Sequence, residues 1–422
     1  MKVKILPTAL EDLERGRRRP MTSTSAPLLC QRDLFSIPDG HCYLNSAFMG
    51  PLPRLVEQAG AAALAARASP IGLTAQDFFE PAERTRILCA QLVGADPERV
   101  AFVPTVAYAT AIVARNLHPK AGQNVVMLGD MFPSNVYAWR NWRTHGVDMR
   151  TVPAPAAPWS SRSAGASRAA LWNDAVVGAI DSNTALVAVE PAHWTDGTLF
   201  DLERIGNRCR KVGAAFVVDA TQTVGAMPFD VRRSQPDALV VHSYKSMLSN
   251  NGLGFAVFSD RFLDASPLEE SWLMRSGSEN FARLVDYEDR YAQGMRRFDT
   301  SLRANPILIA MLEAACRLLI DWQPGRIREY LLGIERRSVD CLRSLGFEVA
   351  DETERCANLF GVRLPDGMNA EACRQHLSQR QIHVAVRGSA VRVSPHVYND
   401  ENDLVRLTDA LSELTPTRAK PR

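Results

Sequence analysis

The sequence lacks the features that mark membrane, disulfide-rich and nucleic-acid-binding proteins. No apolar run reaches the about 20 residues of a membrane-spanning helix, and the stretch 59–66 is cut short by Arg67. The eight cysteines are scattered and form no C-x-x-C pair, which argues against a disulfide framework or a zinc site and favours reduced thiols in the cytoplasm; we expect no metal ligands among the site residues. The 49 Lys and Arg residues against 47 Asp and Glu residues give a net charge of +2, so neither nucleic acid nor a membrane is an expected partner.

The length of 422 residues predicts two or three domains, at about 150 residues each. Residues 1–25 are charged and then Ser/Thr-rich without a hydrophobic period, so we expect a disordered extension there. Residues 26–60 are expected to join a small domain. The large domain is predicted over residues 61–304 and a smaller C-terminal α+β domain over residues 305–422.

Short apolar runs alternate with amphipathic stretches through most of the chain. Apolar strands without polar alternation, separated by helices, are typical of a mainly parallel sheet covered on both faces. We therefore predict an α/β fold, with a surface loop over the Pro/Ala/Ser-rich residues 153–170. The predicted strands are 100–104, 123–128, 185–189, 215–219, 238–241 and 254–258, then 360–364, 384–386 and 391–393 in the small domain. The predicted helices are 55–68, 80–93, 105–117, 134–145 and 202–211, followed by 307–322, 327–345, one from 370, and 403–414.

Two predicted strands lead directly to a charged residue. Asp219 ends the run AAFVVD, and Lys245 lies just past the run ALVVH. Ligands bind at the carboxyl ends of strands in an open α/β sheet, so both side chains can face one ligand. A buried carboxylate and a buried ammonium each need a partner, and a pyridinium nitrogen and an aldehyde carbon satisfy them. This pair indicates pyridoxal 5'-phosphate (PLP). The alternative is that Asp219 caps a helix and Lys245 is a solvated loop residue.

The strings DATQ, HSYK and GLGF resemble those of the class V aminotransferase group of fold-type I PLP enzymes. This group includes kynureninases, cysteine desulfurases, isopenicillin-N-epimerase-like proteins and carbon–sulfur lyases. The likeness runs from YLNSAFMGPLP near residue 43 to VRVSPHVYNDENDLVRL near residue 391. It implies a mainly parallel seven-stranded sheet between helices, PLP as the cofactor, a small amino-acid substrate, and a homodimer with shared active sites.

The resemblance also implies which residues contact the cofactor. Lys245 would form the Schiff base and move the substrate Cα proton, and Asp219 would keep the ring nitrogen protonated. Phe132 would cover the ring face, because stacking on an aromatic side chain fixes the ring plane. Thr105 and the backbone at Val106, at a helix N-terminus, offer N–H groups to the phosphate. The remaining expected cofactor contacts are Gln222, His242, Tyr244 and Thr300, the last of them next to the neighbouring subunit's cofactor.

A substrate carboxylate calls for an arginine that donates two parallel hydrogen bonds. Arg392, in the pattern R-V-S-P, resembles the kynureninase position that binds the α-carboxylate. Arg387 resembles the corresponding desulfurase position and is a second candidate. Asn45 and Ser46 resemble a loop on the substrate side. Further expected neighbours of the site are His193, Trp194, Ser301 and Arg303.

The sequence departs from relatives at positions that bear on the reaction. The stretch RGSAVRVSP contains no cysteine, so persulfide chemistry through that loop is not expected, and Ser246 and Pro191 replace residues common in the group. We predict a PLP-dependent lyase, of kynureninase or C–S lyase type, or an aminotransferase. The alternatives are an epimerase of the same family and a non-catalytic PLP-fold binding protein. A dinucleotide-binding oxidoreductase is disfavoured because NGLGF lacks the G-x-G-x-x-G pattern.

Overall fold

A seven-stranded sheet forms the centre of the larger part of the molecule. The computed structural model describes residues 26–160 and 166–415, so the expected disordered extension over residues 1–25 lies outside the described residues. The strands are β1 Cys42–Tyr43, β2 Val100–Val103, β3 Asn124–Leu128, β4 Asp148–Val152, β5 Thr184–Val189, β6 Ala215–Asp219, β7 Ala238–His242, β8 Gly254–Phe258, β9 Phe360–Arg363, β10 Ile382–His383, β11 Ala385–Arg387 and β12 Ala390–Val393. The sheet order is β2-β8-β7-β6-β5-β3-β4, and β8 runs antiparallel to both of its neighbours. The predicted α/β fold with a mainly parallel sheet is confirmed.

The central strands form because their sequences are apolar except for one polar residue at an end of β3, β5, β6 and β7. All five residues of β3, β6, β7 and β8 are buried, which is the pattern of a sheet covered on both faces. The α-helices that connect and flank the strands are α1 Arg54–Ala68, α2 Glu80–Val93, α3 Val106–Asn116, α4 Ser134–Arg140, α5 Arg168–Ala179, α6 Leu202–Val212, α7 Val231–Ser234, α8 Pro306–Trp322, α9 Pro324–Ser344, α10 Ala370–Gln379 and α11 Glu401–Ser412.

The edge strand β4 has no counterpart among the predicted strands. Its sequence DMRTV contains three polar residues among five, and only Val152 is buried, so it carries neither a continuous apolar run nor a regular alternation. The predicted helix over residues 134–145 divides into α4 and a 3-10 helix over Asn141–His145. Residues 168–170 of the predicted loop 153–170 belong to a helix, because α5 begins at Arg168.

A second hydrophobic core lies in the C-terminal part of the chain. Strands β9, β12 and β11 form an antiparallel sheet, and β1 pairs in parallel with β10. The pairing brings Cys42 and Leu44 of the N-terminal segment into this second core. The buried side chains of α8, by contrast, belong to the core of the large sheet. The domain limits at residues 60 and 304 stay predictions. Among the described residues, no helix is both long and apolar enough to cross a membrane.

Candidate active site

A cavity opens at the carboxyl ends of β5, β6 and β7. These strands are neighbours and parallel, so the residues at their ends meet at one edge of the sheet. Eight of the nine predicted cofactor contacts line this cavity together with Trp194, namely Thr105, Val106, Phe132, Asp219, Gln222, His242, Tyr244 and Lys245. The cavity lining also includes four residues that are not among the predicted site residues, namely Glu190, Ser134, Thr221 and Asn251.

Asp219 is held rigidly at the end of β6. Its side chain is 7% exposed. The Asn135 amide donates a hydrogen bond of 2.7 Å to one carboxylate oxygen, and the Thr221 backbone N–H donates one of 3.0 Å to the other. These two donors fix the plane of the carboxylate while leaving it able to accept a further hydrogen bond. Asp219 can therefore face a protonated ring nitrogen.

Lys245 is an unusually acidic amine. Burial, with a smaller contribution from the Arg392 charge, lowers its pKa to about 8 against the opposing effect of the Asp219 charge. The ammonium lies 5.0 Å from the ring centroid of Phe132 and 5.4 Å from that of Tyr244. An amine with this pKa is partly unprotonated near neutral pH, and an unprotonated lysine can attack a carbonyl carbon.

One end of the cavity is built to receive an anion without a cationic side chain. Thr105 is the N-cap of α3, and its hydroxyl accepts a hydrogen bond of 3.0 Å from the Tyr108 N–H. The N-terminus of this 11-residue helix thus meets the cavity at Val106. His242 lies beside it, and burial lowers its pKa to about 4, so its imidazole is neutral at pH 7. Its ring packs edge-on against that of Tyr244.

Glu190 is a second buried acid in the cavity. Burial and the Asp219 charge raise its pKa to about 8, so it is largely protonated at neutral pH. Its two side-chain oxygens accept hydrogen bonds from the backbone N–H groups of Phe132, at 3.3 Å, and Trp194, at 2.9 Å. The sequence does carry a signal for it, because Glu190 directly follows the apolar strand β5 as Asp219 ends β6.

The loop that carries Phe132 is tied to the segment after β5. His193 is buried, and its Nε2 lies 2.9 Å from the Gly129 carbonyl oxygen. The Trp194 indole N–H donates a hydrogen bond of 2.6 Å to the carbonyl of Asp130, which itself adopts a left-handed backbone conformation with φ 52°. The Phe132 and Trp194 rings meet edge to face at 5.5 Å. These contacts fix the aromatic wall of the cavity.

Arg392 is buried on the strand β12 beside this wall. It donates one hydrogen bond of 3.0 Å to the Trp194 carbonyl, while its Nε and Nη2 have no hydrogen-bond partner. Arg387, on β11, is half-buried, and its guanidinium lies over the Trp194 ring at 5.2 Å. Burial and the Arg387 charge lower the pKa of Arg392 to about 9.

The other predicted site residues do not line the lysine cavity. Asn45 lines a separate cavity with Tyr43, and Ser46 donates its hydroxyl hydrogen bond to the Ser394 carbonyl at 3.0 Å. The Thr300 hydroxyl bonds to Glu269 at 3.2 Å. Ser301 bonds to the same carboxylate, and Arg303 pairs with Asp299. The roles expected for these residues in substrate binding and at a neighbouring subunit stay predictions.

Unpartnered polar atoms show what the site is built to hold. The two free nitrogens of Arg392 are donors, which suit a carboxylate, and Gln222 Oε1 and His242 Nδ1 are also buried without a partner. Together with Lys245 and Asp219 this donor set fits PLP and an amino acid. Within residues 26–160 and 166–415, no three His, Cys, Asp or Glu side chains come together as metal ligands.

Comparison with known proteins places the chain in a family. The profile of the family described as aminotransferase class-V matches residues 61–408. An isopenicillin N epimerase of Streptomyces clavuligerus is 26% identical, over 88% of this chain and 94% of its own length. An uncharacterized aminotransferase of Bacillus subtilis is 24% identical, over 83% of this chain and 92% of its own.

Solved structures agree in fold. A cysteine desulfurase of Thermococcus onnurineus superposes with a TM-score of 0.76 at 19% identity, over 92% of this chain and 99% of that chain. A variant of the lyase C-DES, with glycine covalently linked to its PLP cofactor, superposes with a TM-score of 0.76 at 20% identity, over 91% and 99% of the two chains. The family match, the shared fold and the lysine–aspartate cavity lead to one conclusion: the chain belongs to the aminotransferase class-V family and is a PLP-dependent enzyme.

Proposed function

We propose that the enzyme removes the Cα proton of an amino acid or amino-acid conjugate and completes a lyase or an aminotransferase reaction. The observation that carries this proposal is the guanidinium of Arg392, buried with two unpartnered N–H-bearing nitrogens and close enough to lower the pKa of Lys245. A guanidinium with free donors is the group that binds a carboxylate through two parallel hydrogen bonds. The α-carboxylate of an amino acid would thereby place Cα near the lysine amine.

The main residues of the cavity then have distinct tasks. Bound PLP supplies an electron sink for the electron pair released at Cα. Lys245, with a pKa near 8, takes the Cα proton and returns it. Asp219 would hold a proton on the ring nitrogen, and the N-terminus of α3 would bind the phosphate. The Phe132 and Trp194 rings wall the site and exclude water from one side.

The cysteines do not favour a reaction through an enzyme persulfide. Cys356 is buried, and burial raises its pKa to about 12, which keeps it as an unreactive thiol. The described lining of the lysine cavity contains no cysteine. A lyase that releases its product directly needs no such nucleophile. The similarity to isopenicillin N epimerase supports epimerisation as the second candidate.

Product analysis by mass spectrometry distinguishes these outcomes. The holoenzyme would be incubated with amino acids and cysteine conjugates, with and without a keto-acid acceptor. We expect either acceptor-independent loss of a side-chain substituent, which marks a lyase, or an acceptor-dependent keto acid, which marks an aminotransferase. Inversion at Cα without either product would favour the epimerase instead. If the holoenzyme converts no amino acid in any of these ways, the proposal is wrong and a non-catalytic PLP-fold binding protein is favoured.

We also propose that the enzyme is a cytoplasmic homodimer with shared active sites. All eight cysteines are unpaired, as is usual for a reducing compartment. Residues 281–287 expose large apolar side chains, among them Val285 at 79% and Tyr287 at 95%, and Phe281 of the same segment packs against Trp272. An exposed surface of this kind marks an interaction site. A second copy of the chain is the occupant that we propose.

The mass in solution tests the dimer. Light scattering on the holoenzyme should return twice the chain mass of 46.6 kDa. Replacing Tyr287 by aspartate should shift the protein toward the monomer, because a charge on the interface must be desolvated. A wild-type enzyme that is a fully active monomer would contradict the proposal.

A further inference from the structure

Two arginines project from the same face of the small antiparallel sheet. Arg387 on β11 pairs with Ala390, and Arg392 on β12 pairs with Ala385. Residues two apart on a strand share a face, as do directly paired residues on neighbouring strands, so the two guanidinium groups emerge side by side. Both lie within 6 Å of the Trp194 ring centroid, at 5.2 Å for Arg387 and 5.9 Å for Arg392.

Neither guanidinium has an anionic partner among the described residues. Arg387 donates to its neighbour's carbonyl, that of Val386, at 2.7 Å, and its buried Nε has no partner. Arg392 bonds only to the Trp194 carbonyl and leaves Nε and Nη2 free. The Trp194 ring attracts each cation but carries no negative charge that would neutralise it.

The nearby acids are committed elsewhere. Asp219 accepts hydrogen bonds from Asn135 and Thr221 and is assigned to the ring nitrogen. Both oxygens of Glu190 accept backbone hydrogen bonds from the aromatic wall. Burial and, second to it, the Arg387 charge lower the pKa of Arg392, so its positive charge is unfavourable here until an anion arrives. One α-carboxylate brings a single negative charge, which leaves one arginine uncompensated.

We infer that the substrate carries a second anionic group, with Arg392 binding its α-carboxylate and Arg387 its second acid. The substrate class is thus an amino acid with an acidic side chain or an acidic conjugate. This inference rests on the proposed function, because it takes the α-carboxylate at Arg392 from it. The competing geometry is that both arginines bind the one α-carboxylate, and the two arrangements respond differently to loss of Arg387.

Ligand binding to the holoenzyme separates these arrangements without requiring turnover. Aspartate, glutamate and 2-aminoadipate would be titrated against the amides asparagine and glutamine, with the absorbance of the bound cofactor as the readout. At least one acid should bind about 10-fold tighter than the amides, since a hydrogen bond to a charged group contributes that much. In Arg387→Met this preference should vanish through weaker binding of the acid, while binding of the amide stays unchanged.

Three further variants complete the design. Arg392→Met should weaken the binding of the acids and of the amides equally, because both kinds of ligand carry the α-carboxylate. Arg387→Lys keeps the positive charge and should retain part of the preference. Arg363→Met removes a charge from the same row of the sheet, but Arg363 already pairs with Glu348, so it should leave binding unchanged.

Two results would overturn the inference and leave the proposed function standing. The first is equal binding of acids and amides by the wild-type enzyme. The second is an equal loss of affinity for acid and amide in Arg387→Met, which would mean that both arginines bind one carboxylate. If no α-amino acid changes the cofactor absorbance at all, the proposed function itself falls, and the inference falls with it.

Discussion

Replacing Lys245 by alanine should lower turnover by about 10⁴-fold, the upper end of what a positioned acid–base group contributes. The variant loses both the amine that binds the cofactor aldehyde and the group that moves the Cα proton. PLP would still be held through its phosphate and ring. We therefore expect loss of the absorbance band of the lysine-linked cofactor, and not loss of the cofactor itself. Absorbance spectra and steady-state rates measure the two effects.

Two variants test whether the lost activity comes from the missing amine and not from a lost positive charge or from damage to the fold. Lys245→Arg keeps a positive charge in the cavity but cannot form the same bond, so it should be as inactive as the alanine variant. Lys211→Ala changes an exposed lysine at the end of α6 and should behave like the wild type. An alanine variant at residue 245 that kept the lysine-bound absorbance would show that another residue holds the cofactor.

Replacing Asp219 by asparagine should lower turnover by about 10²–10³-fold, the effect of losing one fixed electrostatic partner in an active site. The neutral amide no longer stabilises a proton on the ring nitrogen. In the wild type, the Asn135 amide and the Thr221 N–H donate to the two carboxylate oxygens. The NH₂ group of the asparagine would replace one of these oxygens and so face a donor instead of accepting from it. The absorbance of the bound cofactor should report the lost ring proton, with a changed dependence on pH.

A matched aspartate at the other end of the sheet controls for structural damage. Asp237 precedes β7 and accepts hydrogen bonds from the Phe216 N–H at 2.9 Å and the Ser259 hydroxyl at 2.8 Å. Asp237→Asn should lower the melting temperature without changing the cofactor spectrum. Asp219→Glu, which retains the charge, should recover part of the rate. Full activity in Asp219→Asn would refute the role assigned to this carboxylate.

The sequence was sufficient to predict a strand of the sheet wherever that strand is a continuous apolar run, with at most one polar residue at its end. The predicted limits of β6 and β8 agree with the structure to the residue, because every position in these strands is buried. β4 escaped prediction because an edge strand needs only one buried face. The pairing of β1 with β10 joins residues 340 apart, between Cys42 and Ile382, and no local pattern encodes such a contact.

The candidate site was predictable where a motif or a strand end marks it. Asp219 and Lys245 follow from charge at the end of apolar runs. Glu190 obeys the same rule, yet its role depends on the backbone of Phe132, 58 residues away, which only the folded chain reveals. The unsatisfied donors of Arg392 are likewise a tertiary property, since they depend on which carbonyls lie within reach.

The covalent attachment of the cofactor tests the central claim most directly. Borohydride reduction of the holoenzyme fixes PLP to whichever lysine holds it, and peptide mapping by mass spectrometry then locates the modified residue. The account predicts a phosphopyridoxyl group on the peptide that contains Lys245. A label on Lys120 or Lys211, or no label on any lysine, would contradict it.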